Sequence, residues 1–185
     1  MMYKLTVLPL LFCTCLFAQT QPPKNIVETG DAVSSSLMKQ LVPKLQHEIQ
    51  TNGLISALKF CHENAYILTE EVNLRQIKGV SVKRISLKER NPINTASEDE
   101  KKVLESMQLM LEKNELPAYI ITQEDKSYKY YKPLVIKKEV CLKCHGDISK
   151  NPELSAFMKE HYPLDKARGY KMNDLRGAIL VEMQP

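Results

Sequence analysis

Residues 128–146 read YKYYKPLVIKKEVCLKCHG, in which a stretch rich in aromatic and β-branched residues leads into two cysteines and a histidine. The first part predicts a strand from Tyr128 to Ile136, paired across the polar loop 123–127 with a second strand at 118–122. The motif Cys141-x-x-Cys144-His145 follows this hairpin. A strand-like segment therefore directly precedes the motif.

The segments on either side predict more strands and several helices. GVSVKRISL, residues 79–87, alternates and predicts a strand, and the chain closes with another at 178–183. A capping box, Ser97-x-x-Glu100, opens a helix to about Glu112. The remaining predicted helices are 31–50, 54–72 and 153–160. The predicted fold is one α+β domain over 31–185, an antiparallel sheet flanked by helices with a long helical segment at its start.

Composition places few limits on function. The chain has 185 residues, 43% of them apolar and 26% charged, as in ordinary globular proteins. The formal net charge of +4 is too small to suggest nucleic-acid binding, and no basic block is present. No nucleic-acid partner is expected.

The N-terminus predicts export. Lys4 precedes an apolar run that ends at Ala18, which is typical of a secretory signal and is too short to span a bilayer comfortably. We expect a signal peptide at 1–18, a linker at 19–30, a periplasmic location and no membrane span after cleavage. Anchoring as a lipoprotein through Cys15 is less favoured, because Phe12-Cys13-Thr14 makes a poor lipobox. Cleavage leaves three cysteines, Cys61, Cys141 and Cys144.

Three chemistries compete for CLKCHG, residues 141–146. The CxxCH spacing is typical of c-type haem attachment, in which both thiols bind the porphyrin and His145 becomes an axial ligand. A thioredoxin-like pair requires a βαβ pattern that is not evident. A zinc site requires two more ligands, for which Cys61 or His161 are the candidates. One covalently attached haem c explains most of the residues and agrees with export.

The second axial ligand has several candidates in the sequence. His47, His62, His161, the methionines and Cys61 could each supply it. Cys61 lies on the apolar stripe of the helix 54–72, where an unpaired cysteine in an exported chain needs an explanation.

Four segments in this order resemble an exported family of PAS-like c-type haem domains, long catalogued as a domain of unknown function: GLISALKFCHENA, RISLKERNPINTASEDE, YYKPLVIKKEVCLKCHG and YPLDKARGYKMNDLRGAI. The resemblance implies a PAS-like antiparallel sheet flanked by helices, with His145 as proximal and Cys61 as distal ligand. It also implies that Arg90, Asn91, Pro92 and Asn94 line the haem pocket or contact the propionates. His62, directly after Cys61, is a competing ligand.

The expected function is redox or gas sensing, with CO or NO binding to the reduced haem and an unidentified redox or signalling protein as partner. The alternative is a small periplasmic electron-transfer cytochrome, with an acidic partner steered by nearby lysines. These lysines are Lys137, Lys138, Lys143 and Lys150. An enzyme is not expected, because no Ser/His/Asp set, carboxylate pair or phosphate loop is apparent in the sequence.

Overall fold

The structure is a computed structural model that describes residues 24–184; the predicted signal peptide lies outside these residues. The elements, in chain order, are α1 (Lys24–Asn73), β1 (Val80–Ile85), a 3-10 turn (Pro92–Asn94), α2 (Glu98–Glu112), β2 (Ile120–Glu124), β3 (Ser127–Val135), α3 (Glu139–His145), α4 (Pro152–His161) and β4 (Leu175–Met183). Within residues 24–184, no helix combines the length and apolarity needed to cross a membrane.

The long helix α1 is broken at Gly53, whose φ of 82° and ψ of −178° are accessible mainly to glycine. The predicted boundary between two helices therefore occurs where the sequence places it. Val33 from the N-terminal arm and Val72 from the C-terminal arm pack in the same hydrophobic cluster. Because these residues lie about equally far from Gly53 in sequence, the two arms run antiparallel.

The structure differs from the sequence prediction at residues 24–30, which form the first turns of α1 and not a linker. The cause is tertiary packing. Gly30 is buried against the ring of Tyr130, so closely that a Cβ at this position would overlap the ring. Asp31 then forms an ion pair with Lys132 of β3. Contacts with the sheet thus extend the helix towards the N-terminus.

The sheet has four antiparallel strands in the order β1-β4-β3-β2. Neighbouring side chains on a strand point to opposite faces. Tyr130 accordingly packs with α1 on one face, and Tyr131 packs with Leu104 and Met107 of α2 on the other. The α+β class, the long helical segment and the antiparallel sheet are confirmed.

The capping box of α2 is also confirmed. Ser97 Oγ accepts from Glu100 N, and the Glu100 carboxylate accepts from Ser97 N at 2.9 Å. Glu100 is only 2% exposed and also pairs with Lys83 of β1 at 2.8 Å. The local cap therefore also fixes α2 to the sheet.

Candidate functional site

The CxxCH motif forms most of α3, a helix that the sequence did not predict. Three-residue spacing places Cys141 and Cys144 on neighbouring positions of one helix face. Both are half-buried, and neither they nor Cys61 forms a disulfide within residues 24–184. Cys141 packs against a cluster of Ile136, Ala167 and Tyr170, whereas Cys144 packs against the cluster shared by α1 and α4.

His145 is held in one tautomer by the backbone. Its Nδ1 lies 3.0 Å from the carbonyl oxygen of Ala167, which can only accept, so Nδ1 carries the proton. Nε2 is then left with its lone pair. Burial lowers the pKa of His145 to about 3, and the positive charges of Arg176 and Arg90 act in the same direction. The imidazole is neutral, as metal ligation requires.

The segment 165–170 wraps around the motif. Tyr170 N donates to His145 O at 2.9 Å, and Gly169 N donates to Gly146 O at 3.1 Å. The Tyr170 ring meets the His145 ring edge-on, with 6.1 Å between centroids. The sequence alone indicates no role for these residues, because their contacts with the motif cross about twenty residues of chain.

Arg90 connects this wrapping segment to the motif. Its Nη2 donates to Cys144 O at 2.6 Å and to Ala167 O at 3.2 Å, and its Nε donates to Asp165 Oδ1 at 3.2 Å. Burial of Asp165 opposes ionisation, but the charge of Arg90 and hydrogen bonds from Arg168 and Ala167 N outweigh it and hold the pKa of Asp165 below its usual range. Arg90 therefore lies beside the motif.

The two asparagines of the same segment make local contacts. Asn91 Oδ1 accepts from Ile93 N at 3.1 Å and caps the 3-10 turn. Asn94 lies at the end of that turn, and its carbonyl accepts from Ser86 N at 3.0 Å. These bonds shape the turn that follows β1, which in turn positions Arg90.

Cys61 lies on the C-terminal arm of α1, which contacts both α3 and α4. Burial raises the pKa of the Cys61 thiol to about 11, a Cys144 thiolate would raise it further, and Arg84 and Arg90 oppose the shift. Cys144 packs against the cluster that contains Leu58, three residues before Cys61 on the same arm. The fold brings together two segments that lie more than eighty residues apart.

The candidate histidines are placed differently. His62 is exposed, and its ring lies 4.9 Å from that of His161 and 5.1 Å from that of Tyr162. His161 is also 4.2 Å from the Phe157 ring. His47 is exposed on the N-terminal arm beside Thr51. The His62 side chain thus packs along α4.

Arg84 is a further residue that the sequence by itself does not single out. Its Nη2 donates to Ala65 O at 3.2 Å, but its Nε is buried and has no hydrogen-bond partner among residues 24–184. A buried donor without an acceptor costs about 1–3 kcal/mol. A cation in a strand gives no sequence signal that distinguishes a buried position from a solvent-exposed one.

The side chains of this site fit a covalently bound haem. Two unpaired thiols lie on one face of a helix, an imidazole keeps Nε2 as an acceptor, a third thiol is nearby, and a buried guanidinium lacks an acceptor for one N–H. Among residues 24–184, no group of three or more His, Cys, Asp or Glu side chains is arranged to hold a metal ion by itself.

A cleft of about 570 Å³ lies beside Tyr170, between α2 and the start of β4. Its lining includes Lys88, Leu104, Tyr170 and Arg176. Of the lysines predicted to steer an acidic partner, Lys137 lies at its rim, and Lys138, Lys143 and Lys150 are likewise exposed.

Comparison with known proteins agrees with this architecture. A model of the Tll0287-like family matches residues 18–184. The crystal structure of the cyanobacterial heme-protein Tll0287 matches with a TM-score of 0.61 and 21% identity, covering 89% of this chain and 97% of that chain. No curated protein sequence matches. The structural match shows a shared fold.

Proposed function

The chain belongs to the Tll0287-like family, and on that basis we propose that it is an exported protein that binds one haem c covalently and acts as a redox or gas sensor. The observation that carries the proposal is the bond from His145 Nδ1 to Ala167 O, which leaves Nε2 of a neutral imidazole as a ligand next to two free thiols.

Cys141 and Cys144 hold the haem through thioether bonds. Their half-buried positions between two hydrophobic clusters support this role, because the thiols are accessible while the backbone of α3 is held by its neighbours. When bound, the haem supplies reversible one-electron chemistry and an iron that can take a diatomic gas.

Cys61 is the proposed second ligand, which would hold the iron together with His145. It requires deprotonation to bind a metal; burial opposes this and raises its pKa to about 11, and Arg84 and Arg90 offset only part of that shift. His62 is a weaker choice, since its ring packs with those of His161 and Tyr162.

The sensor role is supported by the position of Cys61 on α1. The same arm of α1 packs through Val72 against β1 and β4, so a change in ligation at Cys61 would act on a helix that covers one face of the sheet. A signalling partner could then read the position of that helix.

An electron carrier is the alternative. The observation that favours it is the exposure of Lys138 and Lys143 on or next to the short motif helix, together with Lys137 and Lys150. Such charges raise the rate of encounter with an acidic partner and make it depend on salt.

The test is expression with a c-type cytochrome maturation system. The intact mass and haem staining after denaturation should show one haem attached per chain, and the double variant Cys141→Ser, Cys144→Ser should show none. Wild-type protein that remains unmodified under these conditions would contradict covalent attachment.

A redox titration with and without CO separates the two roles. Slow ligand exchange coupled to CO binding supports the sensor, whereas fast electron exchange unaffected by CO supports the carrier.

A further inference from the structure

Arg84 lies near the end of β1, opposite Ile179 of β4. Its guanidinium reaches α1, where Nη2 bonds to the carbonyl of Ala65, four residues after Cys61. The Nε atom is buried, and among residues 24–184 nothing accepts its hydrogen. Arg84 therefore has one N–H group directed into the protein with no acceptor.

The other two arginines near the motif differ from Arg84. Arg90 is bonded to Asp165 and to the carbonyls of Cys144 and Ala167. Arg176 Nη1 donates to Ser86 Oγ at 2.7 Å and to Lys88 O at 3.2 Å. Arg90 and Arg176 are therefore held by backbone and side-chain acceptors. Arg84 is the member of this group with an unsatisfied buried N–H.

The charge of Arg84 is also unbalanced. The ionisable groups that act on it most strongly are Cys61, Arg176 and Tyr162, none of which is a carboxyl group. A guanidinium pairs best with a planar carboxylate, which accepts from two of its nitrogens at once. A ligand with a carboxylate would supply both the missing acceptor and the missing charge.

We propose that Arg84 binds a propionate carboxylate of the haem through Nε. This inference rests on the proposed haem binding and extends it, because it assigns a residue that orients the haem from the sheet side. Haem carries two propionates, and the carboxylate of one of them is the acceptor that Arg84 Nε lacks. Arg84 is thus a positioning residue for the cofactor.

The test compares matured holoprotein of the wild type with Arg84→Gln, Arg84→Lys and the control Arg75→Gln. Arg75, in the turn after α1, is a suitable control because its side chain is 65% exposed and its ion pair is with Glu71 at the end of that helix. Haem labelled with carbon-13 at its propionate carboxyls gives an infrared band that reports the ionisation of these groups. The pH dependence of the reduction potential gives a second readout.

In Arg84→Gln, one propionate should become harder to ionise, with its apparent pKa raised by about one to three units. Its protonated band should then appear at a higher pH than in wild type, and the reduction potential should acquire a pH dependence in the same range. Arg84→Lys should show a smaller shift, because it keeps the charge but not the planar N–H pair. Arg75→Gln should match the wild type.

Labelled bands that coincide in wild type, Arg84→Gln and Arg84→Lys would overturn the assignment. A change in the sulfur-sensitive part of the visible spectrum with unchanged carboxyl bands would do the same, since it would mean that Arg84 acts on Cys61. If Arg84→Gln does not fold, the labelled band of Arg84→Lys decides the outcome. Wild-type protein without covalent haem is a separate result, which would contradict the proposed function itself.

Discussion

His145 Nδ1 lies 3.0 Å from the carbonyl oxygen of Ala167. Ala167 is itself fixed, because its N–H donates to Asp165 Oδ1 at 2.9 Å. Asp165, fully buried, pairs with Arg90, which bonds back to the carbonyl of Cys144. A closed set of bonds therefore sets the orientation of the imidazole.

Replacing Asp165 with asparagine should destabilise the protein by about 3 kcal/mol, because it removes one partner of a buried ion pair and leaves Arg90 charged. Urea unfolding at pH 7 measures the change. Asp147→Asn is the matched control, since Asp147 is exposed and bonds only to Ser149 nearby; it should change stability by less than about 0.5 kcal/mol. Equal losses in the two variants would contradict a special role for Asp165.

The same carboxylate should make stability depend on pH. Since Asp165 has a folded pKa below the ordinary 3.8, its contribution is complete above that value and is lost as the pH falls through the folded pKa. Between pH 5 and the acid limit of folding, wild type should therefore lose more stability than Asp165→Asn. Parallel curves for the two proteins of unfolding free energy against pH would show that Asp165 does not titrate in this way.

Replacing Cys61 with alanine in the holoprotein should change the visible spectrum of the oxidised state and speed CO binding to the reduced state. We expect an increase of roughly tenfold or more, which corresponds to removing about 1.4 kcal/mol of competition from a ligand. His62→Ala is the control at the next position and should leave both measurements near wild type. The reverse pattern would identify His62 as the ligand.

Gly30→Ala should destabilise the fold by about 1–3 kcal/mol, since the added methyl group overlaps the buried Tyr130 ring. This loss outweighs the gain of about 1 kcal/mol that alanine normally brings over glycine in a helix. Thermal unfolding provides the measurement, with Lys39→Ala on the exposed side of the same arm as control. A stabilised Gly30→Ala variant would show that α1 can move away from the sheet at little cost.

Ser97→Ala should cost about 1 kcal/mol, the usual effect of losing an N-cap. Ser106→Ala, within the same helix α2, should be neutral or slightly stabilising because alanine is the better helix former. Chemical denaturation of both variants at pH 7 separates the two effects, and a neutral Ser97→Ala would mean that the pairing of Glu100 with Lys83 is sufficient to hold the start of α2.

Sequence patterns located most elements because the signals are local. The capping box marks the start of α2, Gly53 marks the break in α1, and the β2–β3 hairpin lies within two residues of its expected position. The sequence does not predict the short helix α3, because its seven residues, which include the CxxCH motif, show no helical period of apolar side chains. The sequence predicts a linker at residues 24–30. They are helical because Gly30 packs against Tyr130, and the sequence does not show that contact.

The sequence by itself determined the chemistry available to this protein: two cysteines and a histidine at fixed spacing, a third cysteine on a helix, and an arginine in a segment that resembles a haem family. Only the tertiary structure decided how these groups meet. The tautomer of His145, the approach of Cys61 to Cys144 and the unpaired Nε of Arg84 all depend on contacts between distant segments. The physical reason is that spacing along a chain sets which side chains share a face, whereas burial and hydrogen-bond partners come from the elements packed around them.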